Sequence, residues 1–119
     1  MTIESLESLD ELPGLVESGG GVLSLPMVYL RDAYGAGRLG VHVRSNISEA
    51  LRGLGLAHMP AELPDSQWQE VRIYRVGSKA GKLIEAVMEI GERGDGVIRE
   101  ATSAQPTEVL ERIRELVCD

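Results

Sequence analysis

The sequence predicts a small α+β domain, and three observations support that prediction. Residues 41–53 carry an apolar stripe at helical spacing, residues 70–76 alternate as a strand does, and a proline opens an amphipathic stretch at 106–117. The chain has 119 residues, so one hydrophobic core accounts for its length. With 43% apolar residues and no Phe, that core is built from aliphatic side chains and Met.

Residues 1–24 are predicted to form an acidic N-terminal helix followed by a flexible glycine loop. Apolar residues at near-helical spacing place a short helix over 3–12, which Pro13 interrupts. The glycine triplet at 19–21 is costly to order, which favours a flexible connection. A loop that cradles phosphate is the alternative, but no nucleotide fingerprint continues it. Residues 25–119 are then expected to form a single α+β domain.

Two helices joined by a turn are predicted next. Ser24 and Pro26 indicate a helix start, which places the first helix over 25–34, and Gly35 indicates its end. The second helix covers 41–53. The residues expected to face the core are Val43, Ile47, Ala50, Leu51 and Leu54. The opposite face carries Ser45, Ser48, Glu49 and Arg52.

The remainder of the chain contains a strand and further helices. The 70–76 strand ends at Gly77. Two structures stay open for 79–90: composition favours a helix, whereas a strand there would turn residues 93–96 into a hairpin and create a β-meander. The stretch at 106–117 is predicted as a C-terminal helix.

Charge is unevenly distributed along the chain. The net charge is −7, and residues 1–27 contain five acids and no base. Residues 28–59 instead contain Arg31, Arg38, Arg44 and Arg52. A polyanion should therefore meet the middle segment first. The sequence pI of about 4.8 argues against tight non-specific DNA binding and leaves room for a local basic patch.

The segment from Leu25 to Gly77 resembles a winged helix-turn-helix domain. It reads LPMVYLRDAYGAGRLGVHVRSNISEALRGLGL followed by AHMPAELPDSQWQEVRIYRVG, and SNISEALRGLGL is similar to the recognition helices of that superfamily. The resemblance implies a small helical domain with a helix-turn-helix-like pair, a short β-hairpin or wing, and a C-terminal helix. On this view residues 25–119 are one winged-helix-like domain.

The resemblance also implies a set of nucleic-acid-binding residues. The residues expected to face the major groove are Ser45, Asn46, Ser48 and Arg52. The residues expected near phosphates are Arg38 in the turn, and Arg72 and Arg75 along the wing. Arg44, from the same basic segment, completes the predicted set. Two features depart from the pattern. The Glu49 carboxylate shares the exposed helix face and repels phosphate, and the turn of about six residues is longer than the tight turn of the strict motif.

Other chemistry finds little support in the sequence. The segment 77–83 follows a strand as a phosphate-binding loop would, but its glycine spacing is short and Leu83 replaces the Ser or Thr that binds Mg²⁺. Lys79 and Lys82 at a helix start can at most hold a single anion. Two histidines and one cysteine do not give metal-ligand spacing. We therefore expect no cofactor, no metal and no catalysis.

Trp68 has two interpretations. Its polar neighbours indicate a surface loop, from which the indole either folds back onto the core or serves as a binding anchor. Core packing is favoured, because a large aromatic is useful in an aliphatic core.

Two classes of function follow. The first is a regulatory module that binds duplex DNA. The second is a protein-interaction or adaptor domain that uses acidic surfaces, and a homodimer is compatible with both. The excess of Arg over Lys suggests a bacterial source, and the acidic start and single cysteine suggest a cytoplasmic protein without a membrane segment.

Overall fold

The computed structural model describes residues 6–103, which adopt the predicted α+β fold. Their helices are α1 (Leu12–Ser18), α2 (Met27–Tyr34), α3 (Val41–Gly53), α4 (Lys79–Met88) and α5 (Glu92–Thr102), and a 3₁₀ turn over Leu9–Glu11 precedes α1. Their strands are β1 (Val22–Pro26), β2 (Leu56–Met59) and β3 (Glu70–Arg75). The helix predicted over 106–117 lies outside the described residues.

The described strands form one antiparallel sheet in the order β1-β3-β2. In its register Leu23 of β1 lies opposite Ile73, and Met59 of β2 lies opposite Arg72. Val71 and Ile73 are buried, while Arg72 between them is exposed. The predicted alternation of buried and exposed residues is therefore confirmed over 70–73, but Tyr74, expected on the same side as Arg72, is buried.

The N-terminal segment differs from its prediction because Pro13 begins a helix instead of ending one. Proline is tolerated in a first turn, where its missing N–H has no helical partner. Leu12 and Val16 of α1 are fully buried in the same core as the sheet. The helix is thus part of the packed structure, and residues 3–5 of the predicted helix lie outside the described range.

The glycine triplet forms a hydrogen-bonded turn between α1 and β1. The Gly21 N–H donates to the Val16 carbonyl at 2.9 Å, and the Gly21 carbonyl accepts from the Arg75 N–H at 3.0 Å. Gly21 has φ of +95°, and a Cβ there would lie 2.9 Å from Ser78 Oγ. A side chain at this position would therefore be strained and crowded.

The chain divides into two compact units, one up to Gly81 and one from Lys82 onward. The boundary falls inside α4. In the first unit residues 6–24 share a core with the strands.

The segment before α2 is a strand that the sequence analysis missed. Ser24, expected as a helix cap, lies in β1 opposite Arg72. The helix begins at Met27, two residues later than predicted, with Pro26 as its N-cap. The α2 helix ends before Gly35 as predicted, and α3 has the predicted bounds.

The second unit contains most of α4 and all of α5. The helical alternative for 79–90 is confirmed, and the hairpin alternative is wrong because residues 93–96 lie inside α5. A Cβ on Gly94 would lie 2.1 Å from the Glu89 carbonyl oxygen and 2.6 Å from that of Ala86. The first turn of α5 therefore approaches the α4 backbone more closely than any side chain permits.

Within residues 6–103, no helix has both the length and the apolar character that a membrane crossing requires.

Leu12→Ala tests whether α1 belongs to the core. Since Leu12 is fully buried, we expect a loss of about 2–5 kcal/mol in the free energy of unfolding, measured in urea by circular dichroism. Leu15→Ala, at a half-buried position of the same helix, should cost clearly less. Equal small losses from both variants would contradict the packing described for α1.

Two glycines of α5 form a matched pair. Gly94→Ala places a methyl against the α4 backbone, so we expect a loss of about 1–3 kcal/mol in unfolding free energy. Gly96→Ala meets no atom within 4 Å and should stabilise by about 0.5–1 kcal/mol, since alanine is the better helix former. The same change of stability in both variants would contradict the close approach.

Candidate functional site

Helix α3 provides the frame of the candidate site. Ile47 and Leu51 are fully buried, which fixes the rotation of the helix about its axis. The exposed stripe on its other side consists of His42, Ser45, Asn46, Glu49 and Arg52. Three predicted residues, Ser45, Asn46 and Arg52, are therefore together on one solvent face.

Arg44 has a structural role that the sequence did not reveal. Its Nε donates to the Leu39 carbonyl at 3.0 Å, and its Nη1 donates to the Leu63 carbonyl at 3.0 Å. The half-buried guanidinium thereby ties the turn before α3 and the loop after β2 to the helix. Two of the five N–H donors of Arg44 are therefore already used within the protein.

Ser48 is also engaged within the protein. Its Oγ lies 2.7 Å from His58 Nε2, and His58 Nδ1 lies 2.8 Å from the Pro60 carbonyl oxygen. Because a carbonyl oxygen only accepts, Nδ1 donates to Pro60. The pair links the middle of α3 to β2 and engages the Ser48 hydroxyl within the protein.

Arg52 and Arg38 remain accessible. The Arg52 side chain is 81% exposed, and its ion pair with Glu49 is long at 3.8 Å. Such a pair between exposed side chains contributes little to stability and exchanges readily for another partner. Arg38 is exposed in the turn between α2 and α3.

Arg72 and Arg75 lie towards opposite ends of β3. Arg72 is exposed and lies opposite Met59, at the end of β2 that leads into the loop. Arg75 lies opposite Leu56 and forms an ion pair with Glu17 of α1. The structure therefore places Arg72 towards the loop end of the hairpin, and Arg75 at the other end with a carboxylate partner.

A shallow cavity of about 360 Å³ lies beside α3. Its lining is Val41, Arg44, Ser45, Ser48, Glu49, Ala61, Glu62 and Leu63. The two carboxylates are exposed, whereas the one guanidinium is bound to backbone carbonyls. Glu62, which the sequence analysis did not single out, thus makes this cavity unsuited to an anion.

The loop over 60–69 between β2 and β3 is anchored to α2. The Met27 N–H donates to the Gln69 carbonyl at 3.0 Å, and the Val28 N–H donates to the Gln67 carbonyl at 2.8 Å. Arg31 Nη1 also donates to the Gln67 side-chain oxygen. The loop thereby satisfies two of the N–H groups that a helix start leaves without partners.

Trp68 lies between these two anchors and is exposed. Its side chain keeps 70% of its accessible surface, so the favoured prediction of core packing is wrong. The carbonyls on either side of it face α2, and the helical N–H groups hold them there. The polar residues around Trp68 correctly indicated a surface loop. The prediction of core packing, which rested on the aromatic character of Trp68, was the wrong part.

The segment 77–83 does not form an open anion-binding loop. Ser78 Oγ donates to the Arg75 carbonyl at 2.7 Å and accepts from the Gly81 N–H at 2.9 Å, so it caps the start of α4. The adjoining cavity also contains Glu17 beside Lys79. A single anion there stays a prediction without structural support.

Arg44 and Arg52 allow a matched test on one helix. Arg44→Ala removes two charge-assisted hydrogen bonds, so we expect a loss of about 1–3 kcal/mol in unfolding free energy. Arg52→Ala should change stability by less than about 0.5 kcal/mol, because its side chain is exposed. Urea denaturation measures both, and a neutral Arg44→Ala would contradict the role of that residue as a tie.

Comparison with known proteins found no match. No known protein family matches the chain, and neither does any curated protein or solved structure.

Proposed function

We propose that the chain is a small regulatory module of the winged-helix type, which binds duplex DNA through α3. The observation that supports this best is the order of elements: α2, a six-residue turn over 35–40, α3, and then the β2–β3 hairpin. This is the order that the sequence resemblance implies. A helix of 13 residues with a solvent-facing polar stripe is of the size that a major groove accepts.

The exposed groups on α3 are of two kinds: some fit contacts to DNA bases, and others fit contacts to the DNA phosphates. Ser45 and Asn46 carry short side chains that donate and accept hydrogen bonds, which base edges require. Arg52 can reach a base or a phosphate, while Arg38 and Arg72 are exposed bases for phosphate contacts. Arg75 is left out of the proposed contact set, because it lies at the other end of β3 from Arg72 and is paired with Glu17.

Acidic groups limit the strength of this binding. Glu49 and Glu62 both lie beside α3, and the whole chain has a net charge of −7. Non-specific binding, which depends on phosphate neutralisation, should therefore be weak, and its affinity should fall as salt rises. Measurable binding to arbitrary duplex DNA is expected at about 50 mM salt, where screening is low.

Single charge changes on this surface test the proposal. Arg52→Ala and Arg72→Ala should each weaken duplex binding, and each should lower the slope of log affinity against log salt by about one for every phosphate that is no longer neutralised. Glu49→Gln should strengthen binding, because it removes a negative charge from the same face. Fluorescence anisotropy of a labelled duplex at several salt concentrations measures all three.

Arg75→Ala is the matched control, since it removes the same charge from the same strand as Arg72→Ala. It should leave DNA affinity nearly unchanged. If the unmodified protein binds no duplex at about 50 mM salt, or if the four variants behave alike, the DNA proposal fails.

The second candidate function is a protein-interaction or adaptor domain on the same scaffold. The exposed Trp68 favours it, because aromatic side chains of this kind anchor protein interfaces. The expected homodimer stays a prediction and is checked by light scattering. Neither candidate function involves catalysis by this chain.

A further inference from the structure

We infer that the loop over 60–69 is a docking site for a basic protein segment, with Trp68 as its anchor. This inference rests on the second candidate function and is independent of DNA binding by α3. It uses residues of the loop itself, none of which is a proposed DNA contact, although Glu62 lines the same cavity as Ser45.

Trp68 exposes a large apolar surface on a backbone that is already held in place. Trp68 is 70% exposed, and a tryptophan that becomes buried at an interface contributes more than most side chains. The residues before and after it are bound to the first turn of α2 through backbone hydrogen bonds of 2.8 and 3.0 Å. A partner therefore meets a backbone that is already ordered, which reduces the entropy lost on binding.

The loop and the first residue of β3 carry negative charge. From Pro60 to Glu70 the chain contains three acids and no base, and all three carboxylates are exposed. The acids are Glu62, Asp65 and Glu70. Such a surface repels phosphate and anionic lipid, and it attracts a partner that carries Lys or Arg.

Two arginines contact the loop, but both are already engaged. Arg31 donates to Gln67 and forms an ion pair with Asp32 at 3.0 Å. Arg44 donates to the carbonyls of Leu39 and Leu63. Their N–H groups are thus directed to partners within the chain, which leaves the loop carboxylates able to pair with an incoming base.

The indole and the carboxylates together select the class of partner. An arginine guanidinium stacks on an indole face and pairs with a carboxylate at the same time. A purely apolar segment would leave the neighbouring carboxylates without partners, and an acidic one would be repelled. An exposed arginine-rich stretch of another protein satisfies both features.

The test uses the full chain and a labelled 12-residue peptide of alternating Arg and Gly, followed by fluorescence anisotropy. We expect saturable binding that shifts the emission of the sole Trp to the blue and weakens with salt. A peptide with Glu in place of Arg should not bind. Trp68→Ala should lower affinity for the Arg peptide at least about tenfold, the loss typical of an interface anchor.

Two matched variants complete the experiment. Asp65→Asn keeps the shape of the side chain and removes its charge, so it should weaken binding and reduce its salt dependence. Tyr34→Ala removes an exposed aromatic side chain of α2, outside the Trp68 loop, and should have no effect. Circular dichroism melts should be unchanged by Trp68→Ala, since the side chain is largely exposed.

The outcomes separate this inference from the DNA proposal. Peptide binding that depends on Trp68 supports the inference even if no duplex binds. Absence of peptide binding, or equal binding by Trp68→Ala, overturns it whatever the DNA result. If Trp68→Ala weakens duplex binding instead, the loop belongs to the DNA interface and the inference is wrong.

Discussion

The central position of β3 is the constraint on which the rest of the fold depends. It pairs with β1 on one side and β2 on the other, and Val71 and Ile73 lie in the core that α1 and α3 also enter. The residues just before it, Gln67 and Gln69, supply the carbonyls that begin α2. One short stretch of chain therefore determines the sheet, the start of the helix pair and the position of the Trp68 loop.

Four of the described arginines differ in what lies beside them. Arg31 and Arg44 are close enough to loop backbone and side chains to act as ties, and their hydrogen bonds replace the water they lose. Arg38 and Arg72 are exposed to solvent instead. Some arginines of the basic segment are therefore bonded within the protein and are not available on its surface. The candidate DNA face depends on few charges for this reason.

Elements with a clear period and a clear boundary could be predicted from the sequence. The α3 helix has a full apolar stripe and β3 alternates from Glu70 to Ile73, so the exposed state of Ser45, Asn46, Arg52 and Arg72 followed directly. By contrast, β1 has too few residues to establish a period, and its Ser and Pro mimic a helix start. Local signals could not identify it, because its partner strand is distant in sequence.

The same limit applies to the site. The hydrogen bonds of Ser48 and Arg44 go to residues on another strand and another loop, and no pattern within α3 announces them. The α5 helix was missed because Gly94 and Gly96 resemble a turn. Gly94 is explained by close packing against the α4 backbone, which becomes visible only once both helices are placed.

The capping of α2 by Gln67 and Gln69 has a consequence for the order of folding. During synthesis the helix-turn-helix-like pair is made before the loop that completes the start of its first helix. Pairing of β1 with β3 likewise joins distant parts of the chain, and such contacts form late because a long loop must close. The β2–β3 hairpin is more local and is expected to form earlier. A fragment that stops after α3 therefore lacks both the central strand and the helix cap, so the pair should not persist outside the intact first unit.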